Sequence, residues 1–437
     1  MLRNDAVVSL MLAKPMAWRL WLKKLKIGFR AKKVKVKSVA NKKTIYILVN
    51  SPGELSGWMA PVVLYLKSHA PEIKIVAVTL PCPYASGGER QAALSIGVQD
   101  VITMWQFLKL KTEKVKKGQS SFALILQLGG DPMWGCLLHI KTGYDWLIYT
   151  KRPKFRHFVS HYFVPNGETA KKFAKVLPAD KYSLAGNLIL DSVKRQDKSS
   201  AKNDEASVTG EKLRLAILPG SRPFEYERAF GYYPRVAELL HKKLPNLSIF
   251  FPLAPTAKKE IYTASIKNAG YKYIEDEASC RIKITDDFYV DIITENAFEE
   301  IKNATMAVAF PGTNNLQIAF LGTPLICLAP TNYAEEIPLD GLLGLIPNCA
   351  LTRKLKKVII EKINKKLDFA SLPNILAKKQ IVPEIRRVIW EEDCAQILEG
   401  YLKDSATLEK IKDGYKEIPF DTGADEVIGK YIIEALK

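Results

Sequence analysis

The feature that most narrows the fold is an alternation of short, wholly apolar runs with longer amphipathic or polar stretches. "TIYILVN" (44–50), Ile73 to Leu80, Phe122 to Leu128, Trp146 to Tyr149 and Tyr162 to Val164 are runs of this kind. Apolar runs of this length fit strands buried on both faces. Strands that alternate with helices imply parallel pairing in a sheet covered on both sides. The stretch "KRQDKSSAKNDEASVTGEK" (194–212) then breaks the pattern, which restarts with "LRLAIL", "LSIFFPLA", "VDIIT", "MAVAF" and "PLICL". At 437 residues, two domains are expected. The reading is two doubly wound α/β domains, 44–193 and 213–387, joined by a polar linker or loop over 194–212. Helices over 388–437 are expected to pack back on the first domain. Ligands of such sheets sit at the carboxyl ends of the strands, here in a cleft between domains.

Charge is concentrated at the front. Residues 1–43 hold thirteen Lys and Arg against Asp5 alone, so this leader supplies +12 of the chain's +19. Its Leu20, Trp21, Leu22, Leu25, Ile27 and Phe29 interleave with lysines, a pattern suited to a membrane interface with anionic headgroups. A solvated basic tail is the plainer alternative. No nucleic-acid-binding module follows it, so nucleic acid is not expected as a partner. The six cysteines are scattered, with no Cys-x-x-Cys or Cys/His cluster, so neither a metal site nor a disulfide framework is expected and a cytoplasmic setting fits. No run of about 18 apolar residues is present to span a bilayer.

Three loops stand out in the second half. In "LAILPGSRPFEYER" a Gly220-Ser221 turn leads to Arg222, whose paired donors suit a phosphate or diphosphate, or simply decorate a Pro-Gly turn. In "AFPGTNNLQIAFLGTPL", Gly312 permits close backbone approach, and Thr313 and Asn314 are expected to cap the following helix. Capping alone would explain those two residues, but amides at the helix start can also face anionic oxygens. In "SLPNILAKKQIVPEIRR", Asn374 stands at a helix start with Lys378, Lys379 and Glu384 after it. In the first half, "SPGELSGW" reads as a turn into a helix "WMAPVVLYLKSHA", and Asp131 follows a strand in "LGGDPMWG".

Together "LPGSR" with Glu225, the glycine-threonine helix start with "LGTPL", and "SLPNILAKKQIVPE" resemble the lipid A disaccharide synthase family, glycosyltransferases of the GT-B type. "AGNLILD" (185–191) is similar to the family's domain-junction motif, and "SPGELSGW" to a modified form of its front loop. The resemblance implies two Rossmann-like domains facing a cleft, a UDP-linked acylated glucosamine donor and a glycolipid acceptor. It further implies inversion without a metal or other cofactor, at the inner face of the cytoplasmic membrane. Nucleotide-sugar contacts are then expected from Gly220, Ser221, Arg222, Gly312, Thr313, Asn314, Gln317 and Asn374. Asp131 is expected as the acceptor's base, with Glu54 in reserve. Trp58, Met59, Met133 and Trp134 would suit a lipid, or belong to the core.

The chain departs from the family where Trp58 replaces an aspartate and where Gln317 replaces the acid that holds the ribose hydroxyls. Three functions remain open on these residues. One is a disaccharide synthase-like transferase. Another is a different GT-B sugar-nucleotide enzyme, such as another glycolipid transferase or a UDP-sugar epimerase. The last is a non-catalytic, membrane-associated nucleotide-sugar-binding protein.

Overall fold

The computed structural model describes residues 43–81, 87–110, 112, 114–115, 121–196, 213–254, 256–277, 279–332 and 367–437. The leader, apart from Lys43, and the polar stretch from 197 to 212 lie outside the described residues.

Among the described residues the first sheet has seven strands: β1 (Thr44–Val49), β2 (Lys74–Thr79), β3 (Asp100–Thr103), β4 (Ala123–Gln127), β5 (Asp145–Tyr149), β6 (His161–Val164) and β7 (Tyr182–Leu184). All pair in parallel in the order β3-β2-β1-β4-β5-β6-β7. Successive side chains go to opposite faces. Ile45, Ile47 and Val49 therefore enter one core while Tyr46 and Leu48 enter another.

The covering helices begin with α1, which runs through Pro52–Glu54, a π turn at Leu55–Met59, and Ala60–His69. This helix starts earlier than expected, because Pro52 suits a first helical position after Ser51. Pro61 cannot donate to the turn before it, and Ala60 N donates to Leu55 O in the wider π register. Then come α2 (Glu89–Ile96), α3 (Met104–Lys109), α4 (Met133–Thr142), α5 (Gly167–Phe173) and α6 (Leu188–Gln196). Lys194 to Gln196, read as linker, are the last residues of α6.

Among the described residues the second sheet has eight strands: β8 (Arg214–Leu218), β9 (Ser248–Pro252), β10 (Lys272–Glu275), β11 (Cys280–Lys283), β12 (Tyr289–Ile293), β13 (Met306–Ala309), β14 (Leu325–Leu328) and β15 (Glu384–Ile385). Their order is β10-β11-β12-β9-β8-β13-β14-β15. From β12 to β15 the pairing is parallel, whereas β10, β11 and β12 form an antiparallel extension that periodicity did not foretell. Its helices are α7 (Pro223–Lys243), α8 (Lys259–Asn268), α9 (Ala297–Lys302), α10 (Thr313–Phe320), α11 (Leu372–Ala377), α12 (Glu391–Lys403) and α13 (Ser405–Gly414). The two doubly wound sheets make this a GT-B type α/β fold.

The last helix, α14 (Ala424–Ala435), returns to the first sheet, where Ile428 and Ile432 join the core of Ile45 and Ile47. Asp191 in α6 fastens it, accepting from Gly423 N at 2.7 Å and Asp425 N at 3.1 Å, and Arg195 pairs with Asp425. Burial raises the Asp191 carboxyl above its usual range.

Candidate functional site

The strand order turns between β1 and β4 in the first sheet and between β8 and β13 in the second, where the antiparallel extension adds a further turn between β12 and β9. Loops that leave such a pair diverge to opposite faces and open a crevice at their carboxyl ends. Most of the residues singled out in the sequence stand on these four loops.

In the first domain, Glu54 folds back over its own loop. Its Oε2 accepts from Asn50 N at 2.6 Å and Ser51 N at 3.3 Å. It also rests on the β4 loop, since a Cβ on Gly129 would lie 1.8 Å from that oxygen. Burial raises the Glu54 carboxyl, against the lowering effect of the Asn50, Ser51 and Gly130 amides. The β4 loop has a second anchor in Gln127, which is 1% exposed and donates to Gly129 O at 3.0 Å and Asp131 O at 2.9 Å. Asp131 itself is exposed, and its Oδ1 accepts from Met133 N at 2.8 Å at the start of α4. The sequence reading passed over Gln127, although an amide closing the otherwise apolar strand "ALILQ" was the available signal.

The second domain repeats the device. Glu225 Oε2 accepts from Ser221 N at 2.6 Å and Arg222 N at 3.0 Å, and Arg222 Nη1 reaches Glu225 Oε1 at 3.4 Å. Gly220 has φ +98°, and a Cβ there would lie 2.5 Å from Glu225 Oε2. The Ser221 and Arg222 amides are held in this structure by the chain's own carboxylate, which also orients the guanidinium. At the β13 loop, Gly312 occupies the cap position of α10, and Gly312 N donates to Asn315 Oδ1 at 3.3 Å. Asn315 is fully buried and also donates to Phe310 O at 3.0 Å and Asn314 Oδ1 at 3.3 Å. Capping therefore falls to Asn315 rather than to Thr313 or Asn314, because its amide can both accept from and donate to the loop.

The loops of the two domains meet. A Cβ on Gly53 would stand 3.2 Å from Thr313 Oγ1, and one on Gly88 would stand 2.4 Å from Thr256 O. Glu54, Asp131, Gly312 and Thr313 thus belong to loops at one cleft, with Arg222 on the neighbouring loop.

Other expected residues are placed elsewhere. Gln317 is 8% exposed, and its Nε2 donates to Ser192 Oγ of α6 at 3.1 Å. Asn374 is fully buried, with Nδ2 donating to Val382 O and Glu384 Oε1 and Oδ1 accepting from Ile381 N and Val382 N. Glu384 also accepts from Ala370 N, Ser371 N and Ser371 Oγ. The Ser-Leu-Pro-Asn segment is thereby a closed network that brings β15 to β14, and it leaves Asn374 no amide group for a ligand. Met59 is buried core, and Trp58 is half-buried and packs edge-on against Tyr149 at 6.0 Å. Met133 and Trp134 are half-buried. Among the described residues no group of three or more His, Cys, Asp or Glu could hold a metal ion.

Residues 180–333 match the family model described as lipid-A-disaccharide synthetase. The chain is 21% identical to the lipid-A-disaccharide synthase of Persephonella marina over 234 residues, 53% of this chain and 52% of that one. With the enzyme of the same name from Methylobacillus flagellatus it shares 24% over 204 residues, 46% of this chain and 44% of the other. The chain thus spans about half the length of the curated relatives it matches. Among solved structures, UDP-GlcNAc 2-epimerase from Neisseria meningitidis, bound to UDP-GlcNAc, superposes with a TM-score of 0.48 at 13% identity, covering 90% of this chain and 100% of that one.

Proposed function

Proceeding from the chain's standing as a divergent relative of the lipid A disaccharide synthase family, we propose that it transfers a glucosamine-type sugar from a UDP donor to a glycolipid acceptor. The observation that carries this reading is the meeting of the switch-point loops of both sheets, with Gly53 against Thr313. One wall supplies an exposed carboxylate, and the other supplies a helix start and an arginine.

The acceptor's oxygen attacks the anomeric carbon and the bond to the diphosphate breaks, with its electron pair leaving on the phosphate oxygen. Asp131 receives the acceptor's proton through Oδ2, while Met133 N holds Oδ1 in place. A base positioned in this way contributes about 10²- to 10⁴-fold. Arg222, aligned by Glu225, and the backbone at Gly312 to Asn314 meet the departing charge. Fixed donors aimed at developing charge need little reorganisation. Glu54 is a positioning residue that locks the turn carrying Asp131. The family resemblance implies that the configuration inverts, with attack and departure on opposite faces of the sugar. The reaction takes place at the inner face of the cytoplasmic membrane, where the acceptor resides.

The test incubates the full chain with UDP-sugars and glycolipid acceptors, following UDP release and the product by mass spectrometry. A new glycosidic bond is expected. A rearranged free sugar would replace transfer by epimerisation, and no release with any pair would remove the enzymatic reading. Asp131→Asn is expected to lower kcat about a hundredfold or more with UDP affinity unchanged. Glu54→Gln is expected to cost less, and the reverse order would exchange the two roles.

A further inference from the structure

We infer that the outer face of α4, together with the crossover from β5 to β6, is the surface by which the protein docks on an anionic bilayer. The sequence of α4, "MWGCLLHIKT", is apolar around most of its circumference and contains no acid. Such a helix is normally buried on every side. Here Gly135, Cys136, Leu138 and Thr142 face the core, while Leu137 is only half-covered and Ile140 is 48% exposed. Trp134, one turn before Leu137 and Leu138, meets Trp105 edge-on at 5.8 Å, and Trp105 is 38% exposed. Tryptophans at the rim of an apolar surface suit the headgroup region of a bilayer.

The crossover supplies the charge. Strands β5 and β6 are parallel neighbours, yet residues 150–160 connect them without a helix. Phe155, at φ +56°, tilts against Trp146 at 5.8 Å, and Phe158 N donates to Phe155 O at 2.9 Å. This tight turn leaves Arg156, His157 and Phe158 exposed, and Phe158 lies edge-on to His139 of α4 at 6.2 Å. Lys151, Arg152 and Lys154 are exposed on the same loop. Between residues 133 and 166 the sole acid is Asp145, which accepts from Ser160 Oγ at 2.6 Å.

Aliphatic and aromatic side chains set beside clustered cations match a layer that is apolar below and anionic above. A nucleic acid would use the cations and rings but has no counterpart for Ile140 and Leu137. The placement also serves the proposed transfer reaction, on which its functional meaning rests. Asp131 accepts from Met133 N at the start of α4, so a membrane against this helix brings an acceptor's headgroup to the cleft while its acyl chains stay in lipid.

The experiment compares the full chain with R152E/K154E and I140S/F158S by co-sedimentation with vesicles of phosphatidylcholine alone and with phosphatidylglycerol. Calorimetric UDP binding is measured on every protein. Each variant should lose tenfold or more of its partition to anionic vesicles, since each basic residue near such a surface contributes about fivefold. UDP affinity should stay unchanged, because none of these residues lies at the cleft. Unaltered vesicle partition in both variants would overturn the inference. So would a single-stranded RNA that binds through the same residues while vesicle binding persists. Hydrogen exchange on the unsubstituted chain provides a second readout that needs no variant. Slower exchange on vesicles at 137–141 and 151–158 is expected, and unchanged exchange there would also refute it. Failure of these arms leaves UDP release and product analysis untouched, so the docking surface and the transfer reaction fail separately.

Discussion

Gly129→Ala tests the floor of the cleft most directly. The new Cβ would stand 1.8 Å from Glu54 Oε2, 2.0 Å from its Cδ and 2.5 Å from Oε1, so the whole carboxylate must leave. Departure strands Asn50 N, whose bond to Oε2 is 2.6 Å, and Ser51 N at 3.3 Å. Hydrogen bonds to a charged group contribute about 1.5–3 kcal/mol each. The longer bond is weak, and water reaches a half-buried carboxylate, so a loss of about 2–4 kcal/mol is expected in total. For a domain of this size that corresponds to roughly 5–15 °C in Tm. Glu54→Ala removes the group with which the methyl collides. In that background the same glycine substitution should cost close to nothing, a coupling that a double-mutant cycle reads by urea or thermal unfolding. Additive losses, or a single variant melting with the parent, would refute the placement of Glu54 against the β4 loop. Turnover should fall with the melting temperature, because the displaced carboxylate no longer holds the turn that presents Asp131.

Asn374→Ala should destabilise the second domain by about 3–5 kcal/mol, because it removes a fully buried amide and leaves Ile381 N, Val382 N and Glu384 without that partner. Differential scanning calorimetry would show it, and UDP affinity measured well below the new Tm should be unchanged if the residue only closes its loop. Asp191 offers a pH test. Burial raises its carboxyl above the ordinary value of 3.8, so the native chain holds this proton more tightly than the unfolded one. Its contribution to stability therefore falls as pH rises from the unfolded value through the folded one. The difference in urea midpoint between the parent and Asp191→Asn should show this slope within that window and become flat above it.

The sequence revealed what short-range chemistry controls. Uninterrupted apolar runs announced the central strands of both sheets, and glycine beside proline or serine marked the turns at their ends. Short edge strands such as β7 and β15 were missed, because three or two residues show no period and β15 forms only when β14 is there to pair with it. The antiparallel hairpin β10–β11 was missed for a related reason, since its half-exposed strands lack the buried character of the others. The family resemblance pointed to the loops of Gly53 and Thr313, which stand against each other, but it could not say how each polar group is occupied.

That occupancy depends on partners distant in sequence. Gln317 and Ser192 are 125 positions apart, and Asp191 and Gly423 are 232 apart. Spacing and residue type by themselves determined the layered α/β architecture and the loops at its strand ends, because strands, turns and helix starts are governed by neighbours within a few residues. Tertiary structure alone decided which amides and carboxylates are already satisfied. It joined Glu54 to Gly129 and sealed Asn374 within its own loop, while Asp131 stays exposed. A hydrogen-bonding group has the same capacity wherever it stands, and only the packing of distant segments determines what uses it.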